Sequence, residues 1–471
     1  MNRGEDKYTV ISMCSIKKTA AKIMFLNFWI VLVSCKVNIS EKSQNTREKR
    51  LHVQASVLNS VVLSDLRARR RAVKEYVASL TLEEQVCQLF LENLAGNETY
   101  RPAERAESSA GLKALVPGGY LFFSYNIAAE PEKIISFTDS IKSYCVSRNI
   151  IPPYLALDQE GGTVNRLRGI TGPLPSCKKI SSTLSTADAY KFYSLQAVQL
   201  HALGFTMNLA PVAEICDDSN REFLSGRSYG DASAVIAYGT AAVNAYQNNG
   251  VAAVLKHFPG NTNTDPHTGL PEMSLTQAQM ESDIIVPFSR LVSHLPAGVL
   301  MSHVRTSVLD PDVPACLSRS WVTDKLRGEA GFRGIVLSDD IFMSALAGNG
   351  YPPEKAAVLA VEAGVDVIMI SEKSFAGPAA VLTARAEHDS VFAEKIRSAA
   401  ERIVEFKIQY GLLCLKKDNA SWHVAVSPEL YEKGSVQKKS ERLGLFTAAK
   451  DENITLYRKL FAERNTPYAQ K

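Results

Sequence analysis

The chain is 471 residues long, 46% hydrophobic and 22% charged, with a formal net charge of +4. These values fit a soluble globular protein with room for one large barrel or two ordinary domains. So even a charge balance gives no reason to expect a nucleic-acid partner.

Residues 1–35 differ in character from the rest. Lys17, Lys18 and Lys22 precede an apolar run from Ile23 to Val33, and the run ends at Leu32-Val33-Ser34-Cys35. A membrane-spanning helix needs roughly 20 apolar residues, so this run is too short. A basic flank, a short apolar core and a small residue before the break mark an export signal. The polar stretch before Met13 suggests an over-long gene start. The four residues ending at Cys35 also resemble a bacterial lipobox, which implies a lipid-bearing Cys35 as the first mature residue, a membrane anchor and a place in the periplasm or on the outer face of the inner membrane. Simple cleavage without lipid is the alternative.

Residues 36–77 read as a polar tether leading into a helix, and the basic run at Arg67, Arg69, Arg70 and Arg71 as a solvated helix face. Short apolar runs then recur at Gln88–Leu91, Gly119–Phe123, Tyr154–Leu157, Thr206–Leu209, Ala252–Leu255, Gly298–Met301, Ile335–Leu337 and Asp366–Ile370. Helical patterns separate them. Short buried strands alternating with longer amphipathic helices indicate βα units and a parallel sheet. Gly204, Gly250, Gly331 and Gly364 each stand just before an apolar run, where glycine closes a helix in the left-handed conformation. Eight such units predict a (β/α)8 TIM barrel over residues 78–412, with its site at the C-terminal ends of the strands. A doubly wound sheet would carry a glycine-rich phosphate loop after its first strand, and none is present. Residues 413–471 form a charged extension, expected to pack as an extra helix or to be partly disordered. The six cysteines beyond the leader are far apart with no C-x-x-C pair, so zinc and redox motifs are not indicated.

The barrel says where to look. Asp158-Gln159-Glu160-Gly161-Gly162 and Arg166 follow the third run, Pro211 and Glu214 the fourth, and Lys256-His257-Phe258-Pro259-Gly260 the fifth. Ser302-His303 follows the sixth and Ser338-Asp339-Asp340 the seventh. Capping would explain a lone Asp at such a place. It does not explain Lys, His, Arg and carboxylates converging on one mouth, which predict a polar binding pocket.

These motifs, with Asp265-Pro266-His267, Gly331-Phe332-Arg333-Gly334 and Thr81-Leu82-Glu83-Glu84-Gln85, resemble in order those of glycoside hydrolase family 3. The Lys-His-Phe-Pro-Gly and Asp-x-His combination resembles its β-N-acetylglucosaminidase branch. That resemblance implies a retaining, two-step hydrolysis of terminal β-linked N-acetylglucosamine, with peptidoglycan fragments as the source. It assigns the nucleophile to Asp339, a structural role to Asp340, and the acid/base to His267 paired with Asp265. Histidine titrates near neutrality, so it can protonate a leaving oxygen and then activate water. Asp158, Lys256 and His257 would hold the sugar hydroxyls, with Arg166 and Arg227 as clamps. His303 either lines the floor or satisfies core hydrogen bonds. No metal or organic cofactor is implied, and a monomer is expected.

The sequence departs from the family pattern in several places. The loop after Gly260 is shorter and has Asn261 in place of its first histidine; Pro266 replaces a common Ser, Thr163 an Arg, and Glu214 an Asp. These changes bear on loop closure and on the choice of substrate. The rival functions are a catalytically silent sugar-binding lipoprotein, a β-glucosidase of the same family, and a phosphorylase.

Overall fold

The computed structural model describes residues 64–102, 115–418, 421–432 and 436–462. The leader with Cys35 lies outside the described residues. Each of the eight apolar runs forms a strand: β1 Phe90–Asn93, β2 Gly119–Phe122, β3 Tyr154–Leu157, β4 Met207–Asn208, β5 Ala252–Phe258, β6 Gly298–Met301, β7 Ile335–Leu337 and β8 Ile368–Ile370. Every strand residue is buried, as strands covered by helices on one side and a filled interior on the other must be.

All the strand pairs are parallel, in the order β7-β6-β5-β4-β3-β2-β1-β8. A further parallel bridge, Leu337 to Val367, joins the two ends of that order and closes the ring. The fold is a (β/α)8 barrel. Asp366, just before β8, ties the bottom of this seam: it accepts from Arg327 at 2.5 Å, Arg402 at 2.6 Å and the Val336 N–H at 2.8 Å.

Local chemistry sets the helix ends. Ser185 and Asp231 cap the helices Thr186–Leu203 and Ala232–Asn248 with side-chain oxygens, satisfying first-turn N–H groups. Thr81 and Glu84 form a reciprocal capping box on Leu82–Gln88. Gly204, Gly250, Gly331 and Gly364 all have positive φ, between 74° and 105°. At Gly204 a Cβ would also come within 2.5 Å of the Thr138 side chain, so glycine is required there for space as well.

Two strand boundaries differ from expectation in informative ways. The first run was expected from Gln88, but Leu82–Gln88 is a helix whose last four residues are buried, so its end is as apolar as a strand. The fifth strand continues through Phe258, so Lys256 and His257 belong to the strand itself and do not follow it. Phe258 anchors that strand by edge contacts with Phe288 and Trp321, at centroid distances of 4.9 and 5.7 Å.

The chain divides into two compact units. In the smaller, helical residues 64–76 accompany hairpin residues 414–418 and 421–425, and the Trp422 indole N–H donates to Asp65 at 3.0 Å. Arg71 pairs with Glu75 on the solvated face that was expected, whereas Arg69 pairs with Asp65 and is tucked 4.6 Å over the Trp422 ring, so the basic run is only in part a solvated face. In the larger, the barrel is joined by the helix Val436–Tyr457, whose Arg442 donates to Asp139 at 2.6 Å and to the Ala202 carbonyl at 2.9 Å. All six cysteines among the described residues are free thiols. No described helix is long and apolar enough to cross a membrane.

Candidate active site

The C-terminal ends of β3 and β5 share one buried charge cluster. The Lys256 ammonium is 3% exposed and lies 2.6 Å from both Asp158 Oδ1 and Glu160 Oε1. Arg227 brings Nε and Nη2 to the two oxygens of Glu160 at 2.8 and 2.9 Å, a two-point fork. Arg166 reaches Asp158 at 3.4 Å. Burial alone would raise the carboxyl of Glu160, but Lys256 and Arg227 outweigh it and hold that group at about 2. Asp158 is likewise held below its usual range against burial by Lys256 and Arg166, while the two carboxylates keep Lys256 above its own. The cluster is ionised throughout.

Glu160 is therefore the hub, which the sequence reading did not assign. Its partners lie 67 and 96 positions away, and only its place in the motif two residues after Asp158 pointed to it. Arg227 spends two of its donors on Glu160, so it braces the pocket wall in addition to any contact with sugar.

A second buried pair stands beside the first. His257 Nδ1 lies 2.6 Å from Glu214 Oε1, and a carboxylate only accepts, so Nδ1 carries the proton. Glu214 also accepts from the Asn261 N–H at 2.6 Å. Burial opposes ionisation of Glu214, but the His257 hydrogen bond overcomes it and keeps the carboxyl below its usual range. Two of the departures noted above thus meet: the longer Glu214 reaches Asn261, which stands where the family pattern has histidine.

Asp339 is half-buried at the end of β7. Its turn is fastened to β8: Ser338 N–H donates to the Val367 carbonyl at 2.8 Å, and Asp340 Oδ1 accepts from the N–H groups of Phe342 and Ser371, both at 3.1 Å. Asp340 is thus committed to the backbone. His303 is fully buried and satisfied within the core.

The Asp265–His267 pair lies on the loop after β5. His267 Nδ1 is 2.7 Å from Asp265 Oδ1, which also accepts the His267 backbone N–H at 2.9 Å. Burial opposes the Asp265 charge, but these two bonds together prevail and lower its carboxyl. Asn263 ties one side of the loop to Ser219, Asp218 and Glu222. On the other side, Ser344 Oγ donates to the His267 carbonyl and Ala345 N–H to the Pro266 carbonyl at 3.1 Å. The shortened loop is therefore seated on the segment that follows Asp339. Beneath its base, a cavity of about 350 Å³ is bounded by Glu214, Pro259, Gly260, Thr262, Met273 and Phe288.

Phe123 and Tyr125 on the loop after β2 were not foreseen. Arg166 sits 5.4 Å over the Phe123 ring, and Tyr125 stacks on Phe123 while remaining 52% exposed. Among the described residues, no three His, Cys, Asp or Glu side chains are grouped to hold a metal ion.

The family model for the glycosyl hydrolase family 3 N terminal domain matches residues 81–406. A β-hexosaminidase of Alkalilimnicola ehrlichii is 34% identical over 271 residues, 56% of this chain and 76% of that protein. β-Hexosaminidase A of Pseudoalteromonas piscicida is 28% identical over 342 residues, and the match spans only 55% of its length. Among solved structures, a family 3 β-N-acetylglucosaminidase from Paenibacillus is 28% identical with a TM-score of 0.64, over 77% of this chain and 69% of that one. A β-N-acetylhexosaminidase from Beutenbergia cavernae is 27% identical with a TM-score of 0.60, over 70% and 99%. The chain belongs to glycoside hydrolase family 3, with its likeness in the β-hexosaminidase branch, and it is a glycosidase.

Proposed function

We propose that the chain is a retaining, exo-acting β-N-acetylglucosaminidase that removes terminal β-linked N-acetylglucosamine, with Asp339 as nucleophile and His267, paired with Asp265, as acid/base. The observation that carries this reading is the seating of the Asp265–His267 loop on Ser344 and Ala345, beside the turn that bears Asp339. In the first step Asp339 attacks the anomeric carbon as the bond to the aglycone breaks, and protonated His267 gives its Nε2 proton to the departing oxygen. In the second, neutral His267 takes a proton from water, the water oxygen attacks the anomeric carbon, and Asp339 leaves as carboxylate. Asp265 stabilises the imidazolium and fixes the proton on Nδ1.

Asp158, Lys256 and His257 would grip the sugar, with Arg166 and Arg227 bracing them. Fixed charges in a buried site need no reorganisation when substrate arrives. The leader ending at Cys35 supports export and lipid anchoring, and hence peptidoglycan fragments as the substrate source.

The test is turnover of aryl N-acetylglucosaminide against aryl glucoside, each with and without phosphate. Preference for the N-acetyl substrate with free sugar as product supports the reading. Sugar phosphate as product would make the chain a phosphorylase, glucoside preference would move it to the β-glucosidases, and no turnover of either would favour a sugar-binding protein.

A further inference from the structure

We propose that His303 and Cys316 are positioning residues: a hydrogen-bonded relay, Cys316 to His303 to the Asp340 carbonyl, that holds the nucleophile's turn from the β6 side. The proposal rests on reading Asp339 as the nucleophile.

The direction of the relay follows from what each atom can do. His303 Nε2 lies 3.0 Å from the Asp340 carbonyl oxygen, which only accepts, so Nε2 carries a hydrogen. Nδ1 lies 3.2 Å from Cys316 Sγ. Burial pushes the Cys316 thiol far above its usual range, so it remains S–H. Burial also holds the imidazole below its usual value, although the charges of Asp339 and Asp340 pull the other way; His257 adds a smaller push downward. The ring is thus neutral, its Nδ1 has a lone pair, and the thiol donates to it.

Both ends of the relay are fixed. The Cys316 N–H donates to the Ser302 carbonyl at 3.1 Å and Ala315 N–H to the Val304 carbonyl at 2.9 Å, which pins the thiol beside its own histidine. At the other end, β8 holds the same turn through Ser371 and Asp340 Oδ1. Asp340, the residue following Asp339, is thus gripped from both sides, its carbonyl from the β6 side and its carboxylate from the β8 side. A neutral donor suits this place, because a cation facing Asp339 would offset the negative charge that makes the carboxylate a nucleophile.

The chemistry predicts which substitutions rescue. A glutamine amide nitrogen falls near the position of Nε2, and an asparagine nitrogen near that of Nδ1. The experiment uses the full chain and a 5-fluoro glycosyl fluoride of N-acetylglucosamine, measuring the rate of covalent labelling and the labelled residue by mass spectrometry. We expect His303→Leu to slow labelling by about 100-fold with little change in the concentration for half-maximal rate, the size of effect a misplacement of about 1 Å can have. His303→Gln should recover at least about tenfold over His303→Asn, Cys316→Ala should lose only a few-fold, and Cys316→Ser should stay within about twofold of the parent. Thermal unfolding of each variant separates folding from placement, and where the leucine variant fails to fold the glutamine–asparagine pair decides. Label on Asp339 with equal rates for Gln and Asn, or a parental rate for Leu, overturns the relay and leaves the nucleophile standing. Label on another carboxylate overturns the nucleophile instead.

Discussion

Lys256 is 3% exposed and lies between two carboxylates at 2.6 Å, whereas the His267 side chain is 72% exposed and its partner Asp265 49%. Both groupings set a carboxylate against a nitrogen base at one barrel mouth, and they sit in different dielectrics. The buried cluster sits in a low dielectric where its charges must be fully paired, so its geometry is fixed before any sugar arrives. The dyad sits in water, which screens it, and an exposed pair of this kind contributes little to stability. Lys256 and His257 belong to a strand and Asp158 follows the end of another, whereas His267, the proposed acid/base, belongs to a loop fastened at two points. The contrast predicts that substitutions in the first region alter folding and activity together, and in the second activity alone.

The largest effect should fall on neither region. If Asp339 is the nucleophile, Asp339→Asn removes the attacking carboxylate, and activity should drop by many powers of ten, with no covalent intermediate detectable by mass spectrometry. Asp340→Asn keeps Oδ1 as an acceptor for Phe342 and Ser371 and should cost far less. Reversal of the two would move the nucleophile by one residue.

Next comes His267→Ala. Substrates with poor leaving groups need its proton and should lose about 10² to 10⁴ in rate, while aryl substrates with activated leaving groups lose less in the first step. Azide needs no general base and should release the accumulated intermediate. The thermal midpoint should stay near that of the parent, since so exposed a ring supports little structure. Equal damage to both substrate classes would dismiss the dyad.

Glu160→Gln probes the buried side. It leaves Lys256 and Arg227 short of a counter-charge, which should cost about 3–5 kcal/mol in urea unfolding at pH 7 along with activity. The sign with pH follows from the carboxyl being held at about 2 against an ordinary 4.5. Its stabilisation is complete above about 4.5 and is lost as pH falls towards 2, so the gap between parent and variant should narrow across that window. A gap that stays constant down to pH 2.5 would show that Glu160 is not the hub.

The same contrast explains what could be read from sequence. The fold was legible because each strand is an apolar run and each of four junctions has a glycine that needs positive φ. Tyr154–Leu157, Gly298–Met301 and Ile335–Leu337 form strands over the residues expected. Most of the expected residues meet at one mouth because strand ends in a closed barrel converge. What remained hidden was pairing. Nothing local joins Glu160 to Arg227 or Glu214 to Asn261, which the barrel brings together from far apart in the chain, and no motif pairs His303 with Cys316, 13 positions on. The reach of the shortened loop was equally unreadable, because it depends on Ser344 and Ala345, which belong to another βα unit.

Within the dyad the smaller effect should come from Asp265→Asn, and it sharpens the comparison most. Asp265 Oδ1 receives two hydrogen bonds, from the His267 ring and its backbone N–H. An asparagine oxygen can accept both, so ring orientation and the proton on Nδ1 survive, and only the charge that stabilises the imidazolium is removed. If screening by water governs this pair, the loss should be about 10- to 100-fold on poor leaving groups, below that of His267→Ala, and smaller on activated aryl substrates. Stability should be unchanged. A loss as large as that of His267→Ala would mean that bound substrate shuts water out and the dyad works as a buried pair, which would erase the distinction between the two regions. No loss at all would mean that His267 acts alone.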